Sequence, residues 1–289
     1  MDVKSILAGL AFALMWSSAF TSARIIVTNA PPLSISALRF LVAGVVAVLI
    51  AKLMGQSMRL TRLQWRLTIV FGICQNALYL GLNFIAMQTV EASLAAIIAS
   101  TLPLLVALFG WLIAGETVRP LGIAGLLAGM AGVALIMGTR LSAGVDPFGV
   151  ALCCLGALAL AFATLAMRGA SSGGNLMTVV GFQMLIGSLA LAVPALAFET
   201  WQVNWTPVVV IAFLYTIFVP GLVATVLWFW LVRRIGATGA ATFHFLNPFF
   251  GVLVAALLLS EALGLLDIVG VAIVTVGILA VQMSKARTA

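Results

Sequence analysis

The chain has 289 residues, of which 64% are hydrophobic and 7% charged, and its formal net charge is +7. A soluble domain carries about 25% charged residues, and 14 basic and 7 acidic side chains cannot cover the surface of a soluble protein of this size. The composition therefore excludes an ordinary soluble domain and indicates a chain in contact mostly with lipid. The positive charge does not indicate nucleic-acid binding, because the basic residues stand between apolar runs, where they orient a membrane protein.

Ten apolar runs are long enough to span a bilayer, which requires about 20 residues. In chain order they are Val3–Val27, Leu33–Leu53, Arg66–Met87, Ala92–Ala114, Pro120–Gly138, Phe148–Arg168, Leu176–Phe198, Pro207–Val232, Ala237–Ser260 and Leu265–Ser284. The runs favour helices, because the strands of a membrane barrel would alternate in polarity over about ten residues. The sequence therefore predicts an all-α integral membrane protein with ten transmembrane helices.

Charge placement predicts that both termini are cytoplasmic. With that orientation, 11 of the 14 basic residues lie at cytoplasmic ends: Lys4, Lys52, Arg59, Arg62, Arg66, Arg119, Arg168, Arg233, Arg234, Lys285 and Arg287. Five of the seven acidic residues fall outside: Glu91, Asp146, Glu199, Glu261 and Asp267. The opposite orientation would reverse this bias, which follows the positive-inside rule.

An internal repeat appears at an offset of 145 residues. Pro103 aligns with Pro248, and Glu116 aligns with Glu261. A proline and a glutamate at the same separation in both halves are less expected by chance than matches between alanines. Earlier helices align more loosely, with the Arg39-Phe40 pair opposite Gln183-Met184 at an offset of 144.

The repeat predicts an inverted architecture. Residues 1–140 form the first five-helix repeat and residues 146–285 the second. Because five is odd, the second repeat enters the membrane from the opposite side, so the halves are related by a pseudo-twofold axis in the membrane plane. Inverted repeats are typical of transporters that expose a midplane site to alternate sides.

These features together resemble the EamA-type drug/metabolite transporters. The resemblance rests on ten helices, two repeats, the paired proline and glutamate positions, the Trp16-Ser17-Ser18-Ala19-Phe20 stretch and the Arg39-Phe40 pair. Within that superfamily the chain is most similar to the YddG-type amino-acid exporters of bacterial inner membranes. The resemblance implies a multi-pass inner-membrane transporter whose partners are the lipid bilayer and a small-molecule substrate, with aromatic or other apolar amino acids favoured.

No catalytic set is visible in the sequence. His244 is the only histidine, and nearly all carboxylates lie at the ends of apolar runs. The cysteines, Cys74, Cys153 and Cys154, have no metal-ligand spacing and are interpreted as apolar fillers. We therefore expect neither enzymatic activity nor a cofactor nor a metal site.

The third predicted helix carries a polar stripe. Gln75, Asn76, Tyr79 and Asn83 fall on one helical face, where hydrocarbon would make their amides costly. One interpretation is hydrogen bonding between helices. The favoured interpretation is the wall of a substrate cavity, because three amides and a phenol on one face exceed what packing usually needs.

A second stripe lies on the ninth predicted helix, with His244 and Asn247 on one face. His244 either holds a structural position, binds a substrate carboxylate or carries a proton between the two sides. The matching region of the first repeat contributes Ser100 and Thr101. We expect both stripes to face one cavity near the bilayer midplane, with a proton as a candidate coupling ion.

Two further groups are candidates for function. Trp16 and Trp228 lie deep in their predicted helices and are candidates for an apolar wall against the substrate. Pro103, Pro220 and Pro248 lie within predicted spans, where proline removes a backbone hydrogen bond and clashes with the preceding turn. They form either static kinks or hinges.

The sequence thus favours export of amino acids or similar small metabolites by alternating access. A carrier of another metabolite class, such as nucleotides or sugars, and a membrane subunit that transports nothing remain as alternatives. A nucleotide-sugar carrier would need several basic residues in its cavity. Only Arg24 and Arg39 qualify, and their sequence positions place both near the outer surface.

Overall fold

The computed structural model describes residues 2–112, 115, 119–166 and 174–286, and within these ranges every regular element is a helix. Glu116, Arg168 and Arg287, which entered the repeat and the charge pattern above, lie outside the described residues, as does the predicted end of the fourth span at Ala114.

Ten helical segments follow the predicted runs closely. They are α1 Val3–Val27, α2 Pro32–Leu53, α3 Arg62–Ala86, α4 Ala92–Leu112, α5 Pro120–Ser142, α6 Pro147–Ala166, α7 Leu176–Phe198, α8 (residues 207–241), α9 Phe243–Leu259 and α10 Leu265–Ala286. In the described part of the chain, nine helices are long and apolar enough to cross a membrane, and α9 is a shorter apolar helix. The all-α membrane fold predicted from the sequence is confirmed.

The junction of α8 and α9 differs from the prediction. A non-helical loop was expected after Val232, but the backbone keeps a helical conformation from Ala224 to Ala241. The 3-10 turn Thr242–Leu246 follows and includes the first residues of α9. The rings of Trp228 and His244 are nevertheless only 5.0 Å apart. A straight helix would separate residues 16 positions apart by about 24 Å, so the chain reverses direction between them.

Equivalent helices of the two repeats pack against each other, α2 on α7 and α5 on α10. The α5–α10 pair has glycines on both sides of the contact: a Cβ atom added to Gly125 would lie 2.7 Å from the carbonyl oxygen of Gly277, and one added to Gly132 would lie 2.9 Å from that of Gly270. The small glycines thus allow the backbones of α5 and α10 to approach closely.

The first helix of each repeat packs against the other repeat. Helix α1 contacts α8 and α9, while α6 contacts α3 and α4. The halves are therefore interlocked rather than side by side, and the space between them is enclosed by helices of both repeats. This arrangement positions the cavity described below.

Polar contacts tie helix ends at the side that the charge pattern assigns to the outside. The Glu199 carboxylate accepts the backbone N–H groups of Leu33 (2.9 Å) and Ser34 (2.7 Å), at the start of α2. The Glu261 carboxylate accepts those of Ala92 (2.8 Å) and Ser93 (2.9 Å), at the start of α4. Anionic groups are favoured there because the first N–H groups of a helix have no partner within it.

Three further carboxylates on this side take part in contacts between helices. Arg140 forms ion pairs with Glu91 and Asp267. Asp146 accepts the hydroxyl of Thr89 at 2.8 Å, a contact that holds the pKa of this carboxyl below its ordinary value.

The opposite end of the α2–α7 pair is capped as well. There the Gln56 side-chain oxygen accepts the N–H groups of Met177 (2.9 Å) and Thr178 (3.3 Å) at the start of α7. The pair is thus held by side-chain caps at both ends.

Candidate functional site

Two helices change their winding at equivalent positions of the repeat. Gly72–Leu80 in α3 and Ile217–Val223 in α8 are π-helical, and their first residues are separated by the repeat offset of 145. Such segments are rare and often occur at functional sites, because the wider turn frees backbone groups and redirects side chains. Pro220 lies within the second segment.

Both π-helical segments face one central cavity of about 80 Å³. Side chains from α1, α2, α3, α7 and α8 line it, so both repeats contribute. Its polar lining consists of Arg39, Gln75, Asn76, Tyr79, Asn83, Gln183, Thr216 and Thr225. Its aromatic lining consists of Trp16, Phe20, Phe40, Tyr79 and Phe84.

The polar stripe predicted on α3 lines this cavity, and some of its groups also hold the fold together. The Asn76 side-chain amide donates to the carbonyl oxygen of Gln183 on α7 at 2.9 Å. The Asn83 amide nitrogen donates to the carbonyl oxygen of Tyr79 at 2.7 Å, while its side-chain oxygen is buried without a partner. Asn83 therefore keeps an unpaired acceptor in the cavity wall, whereas Asn76 links α3 to α7.

Arg39 is the main cavity residue that the sequence reasoning misplaced. It was expected near the outer surface, but it is only 6% exposed and lines the cavity. Its guanidinium carbon lies 4.3 Å from the ring centre of Phe40 and 4.6 Å from that of Phe84. The sequence contained a signal for this position, because Arg39 aligns in the repeat with Gln183, another polar residue within an apolar run. Both residues line the cavity.

Arg24, the other basic residue considered, lies outside the cavity lining. It is half-buried, and its Nη1 atom donates to the carbonyl oxygen of Met87.

The second polar stripe lies in a different environment. His244 Nδ1 and the Asn247 amide nitrogen are 2.9 Å apart, so the imidazole nitrogen accepts and the amide donates. The imidazole is surrounded by the rings of Phe12, Trp16 and Trp228, with centres 5.0 to 6.3 Å away. His244 and Trp228 thus belong to an aromatic cluster beside the cavity rather than to its lining.

A second, smaller cavity of about 10 Å³ lies on this side. Its lining includes Ser100 and Asn247, and it shares Trp16 and Phe20 of α1 with the central cavity. The two predicted stripes therefore do not surround one space in this conformation, because the side chains of α1 stand between them. Trp16, one of the predicted site residues, lines both cavities.

Thr101 and the two repeat-related prolines mark breaks in helices. Helix α4 is interrupted at Thr101, whose hydroxyl donates to the carbonyl oxygen of Ile98, and it resumes at Leu102. Pro103 is the second residue of the resumed helix, and Pro248 is the second residue of Asn247–Leu259. Each proline thus occupies a first helical turn, where its missing N–H costs least.

The described residues contain no group of three or more His, Cys, Asp or Glu side chains that could hold a metal ion. The cavity instead offers a guanidinium, amides, hydroxyls and aromatic rings. Such groups can bind a small amphipathic molecule, with hydrogen bonds at its polar end and aromatic contact along its apolar part.

A family model matches the chain twice. The model of the EamA-like transporter family covers residues 3–138 and 147–283. An uncharacterized transporter of Bacillus subtilis, YvbV, is 28% identical over 96% of this chain and 91% of its own length. The uncharacterized inner membrane transporter YedA of Escherichia coli is 26% identical over 96% and 90%.

The same similarity extends to a plant protein and to a solved structure. A WAT1-related chloroplastic protein of Arabidopsis thaliana is 26% identical over 93% of this chain and 67% of its own length. A crystal structure covering 100% of this chain and 99% of its own superposes with a TM-score of 0.70 at 22% identity, which shows a shared fold.

Proposed function

Since the chain belongs to the EamA-like transporter family, and is therefore a multi-pass membrane transporter and not an enzyme, we propose that it exports single amino acids, aromatic or other apolar ones above all. The observation that carries the proposal is one cavity, lined by both repeats, that combines polar groups with aromatic rings. The proposed location is the bacterial inner membrane with both termini in the cytoplasm, as the charge pattern predicts.

The size of the cavity supports a small substrate. A volume of about 80 Å³ at 10–15 Å³ per water corresponds to about six waters, or roughly 180 Å³ of liquid. That is about the volume of one amino acid or one monosaccharide. The size therefore argues against nucleotides, and the amphipathic lining favours amino acids over sugars.

The lining supports an amphipathic substrate. The unpartnered side-chain oxygen of Asn83 can accept a hydrogen bond from an ammonium group. Phe20 and Phe84 provide an apolar surface for the side chain. Both ends of an apolar amino acid thus have complementary groups.

The π-helical segments support alternating access. They occupy equivalent positions in the two repeats and line the same cavity. A π-helical turn can return to α-helical winding and shift the side chains that follow it. Exchange of winding between the two repeats would open the cavity first to one side and then to the other.

An uptake screen in proteoliposomes tests the proposal. Purified protein is assayed for counterflow of amino acids, nucleosides and sugars, with and without a pH gradient. We expect uptake of apolar amino acids and none of nucleosides or sugars. Saturable transport of a sugar or nucleoside in place of amino acids would refute the amino-acid proposal.

Two variants separate substrate binding from proton transfer. Asn76→Ala should reduce transport about tenfold, because it removes an amide of the cavity wall and a link to α7. His244→Ala should abolish the response to a pH gradient and leave downhill exchange intact if the imidazole relays protons. Equal losses of both activities would assign His244 to packing or binding instead.

A further inference from the structure

A buried positive charge in the central cavity has no protein counter-charge among the described residues. Arg39 is 6% exposed, and its Nε and Nη2 atoms are buried without a hydrogen-bond partner. Its contacts are with the faces of Phe40 and Phe84. A charged group within a membrane span is costly, and proteins keep such groups mainly where they act on a substrate or ion.

The described carboxylates are all engaged away from Arg39. Six of the seven acidic residues lie in the described part of the chain, and each has partners elsewhere: Asp2 with Ser5 and Arg234, Glu91 with Arg140, Asp146 with Thr89, Glu199 with Leu33 and Ser34, Glu261 with Ala92 and Ser93, and Asp267 with Arg140. None of the described carboxylates therefore serves as the counter-charge of Arg39.

The two unpartnered atoms define the shape of that counter-charge. The Nε and Nη2 hydrogens of a guanidinium lie side by side on one edge, which matches the two oxygens of a carboxylate. Arg140 shows this arrangement in the same protein, since its Nε and Nη2 atoms donate to the two carboxylate oxygens of Asp267 at 3.0 and 2.9 Å. In Arg39 the two atoms of that edge are buried and have no hydrogen-bond partner in the protein.

We propose that Arg39 is the anion-binding group of the central cavity and that it holds a substrate carboxylate through Nε and Nη2. This inference deepens the proposed function, on which it rests. It predicts that the protein selects carboxylates over neutral compounds of equal shape. The amino group of a substrate then contributes less to binding than its carboxylate.

Acids and their amides test the inference directly. Detergent-purified full-length protein is titrated by calorimetry with acetate, butyrate and 3-phenylpropionate, and with the corresponding primary amides. Loss of one partner of a buried charge pair weakens binding by at least about 30-fold. We expect at least that preference for the acid in one or more pairs. Equal affinity for acid and amide in every pair, or binding of neither, would overturn the assignment.

Three variants locate the preference. In Arg39→Gln the affinities for acid and amide ligands should differ by no more than about threefold, because the glutamine side chain carries no charge. Arg39→Lys keeps the charge but loses the fork, so its preference should lie between those of Arg39→Gln and the wild type. Arg140→Gln removes the matched arginine outside the cavity and should retain the wild-type preference. An unchanged preference in both Arg39 variants would overturn the assignment.

Uptake of L-phenylalanine by proteoliposomes separates this inference from the proposed function. Amino-acid uptake without any preference for acids over amides overturns the role of Arg39 alone. An Arg39-dependent preference without amino-acid uptake supports the role of Arg39 and refutes the amino-acid proposal alone.

Discussion

The contact between Glu261 and the start of α4 offers a test of how the outer end opens. The carboxylate accepts two N–H groups, of Ala92 at 2.8 Å and Ser93 at 2.9 Å. Each hydrogen bond to a charged group contributes about 1.5–3 kcal/mol. If the contact exists only while the outer end is closed, Glu261→Ala destabilises the closed state by about 3 kcal/mol, which shifts the equilibrium about 100-fold toward opening.

Cysteine accessibility measures this shift. A single cysteine is introduced at Ala43, which lines the cavity, after the three native cysteines are replaced by alanine. The rate of labelling by an impermeant thiol reagent added outside should rise up to about 100-fold in Glu261→Ala. In Glu261→Gln, which keeps one acceptor oxygen, we expect about tenfold, because roughly half of the interaction is lost.

Glu199→Ala provides the matched control. It removes the same kind of cap from the start of α2, but the α2–α7 pair is also capped at its other end by Gln56. Its labelling rate should therefore stay within about threefold of the parent. A wild-type rate in Glu261→Ala, or an equal increase in Glu199→Ala, would refute the assignment of Glu261 to the outer closure.

Three further predictions concern topology, helix breaks and packing. In intact cells, a cysteine beside Arg59 should resist an impermeant thiol reagent and one beside Asp146 should react; labelling at Arg59 would contradict the predicted orientation. Pro103→Ala and Pro248→Ala should leave the protein folded but slow transport severalfold, because the interrupted helices can then become continuous; wild-type rates in both would reduce the prolines to static kinks. Gly125→Leu should lower the thermal unfolding midpoint by several degrees, since its side chain would meet the backbone of α10; an unchanged midpoint would show that this contact adjusts without cost.

The membrane class and the number of helices follow from the sequence alone. Lipid forces every spanning segment to be an apolar run of about 20 residues, so each run is recognisable without knowledge of its neighbours. The repeat was visible for a similar reason, because Pro103 and Pro248 occupy the same place in two copies of one chain segment. The π-helical segments were not visible, since a change of winding over a few residues leaves the hydrophobicity of a run unchanged.

The composition of the binding site required the tertiary structure. Arg39 lies about 10 Å along α2, and this depth alone is compatible with the outer surface. Only the packing of α3, α7 and α8 around α2 encloses its guanidinium and leaves one edge without a hydrogen-bond partner. The sequence likewise put the stripes of Tyr79 and His244 near the bilayer midplane, but it does not specify which helix lies between them. The insertion of α1, with Trp16 and Phe20, separates the two stripes, because contacts between distant segments depend on the whole arrangement of helices.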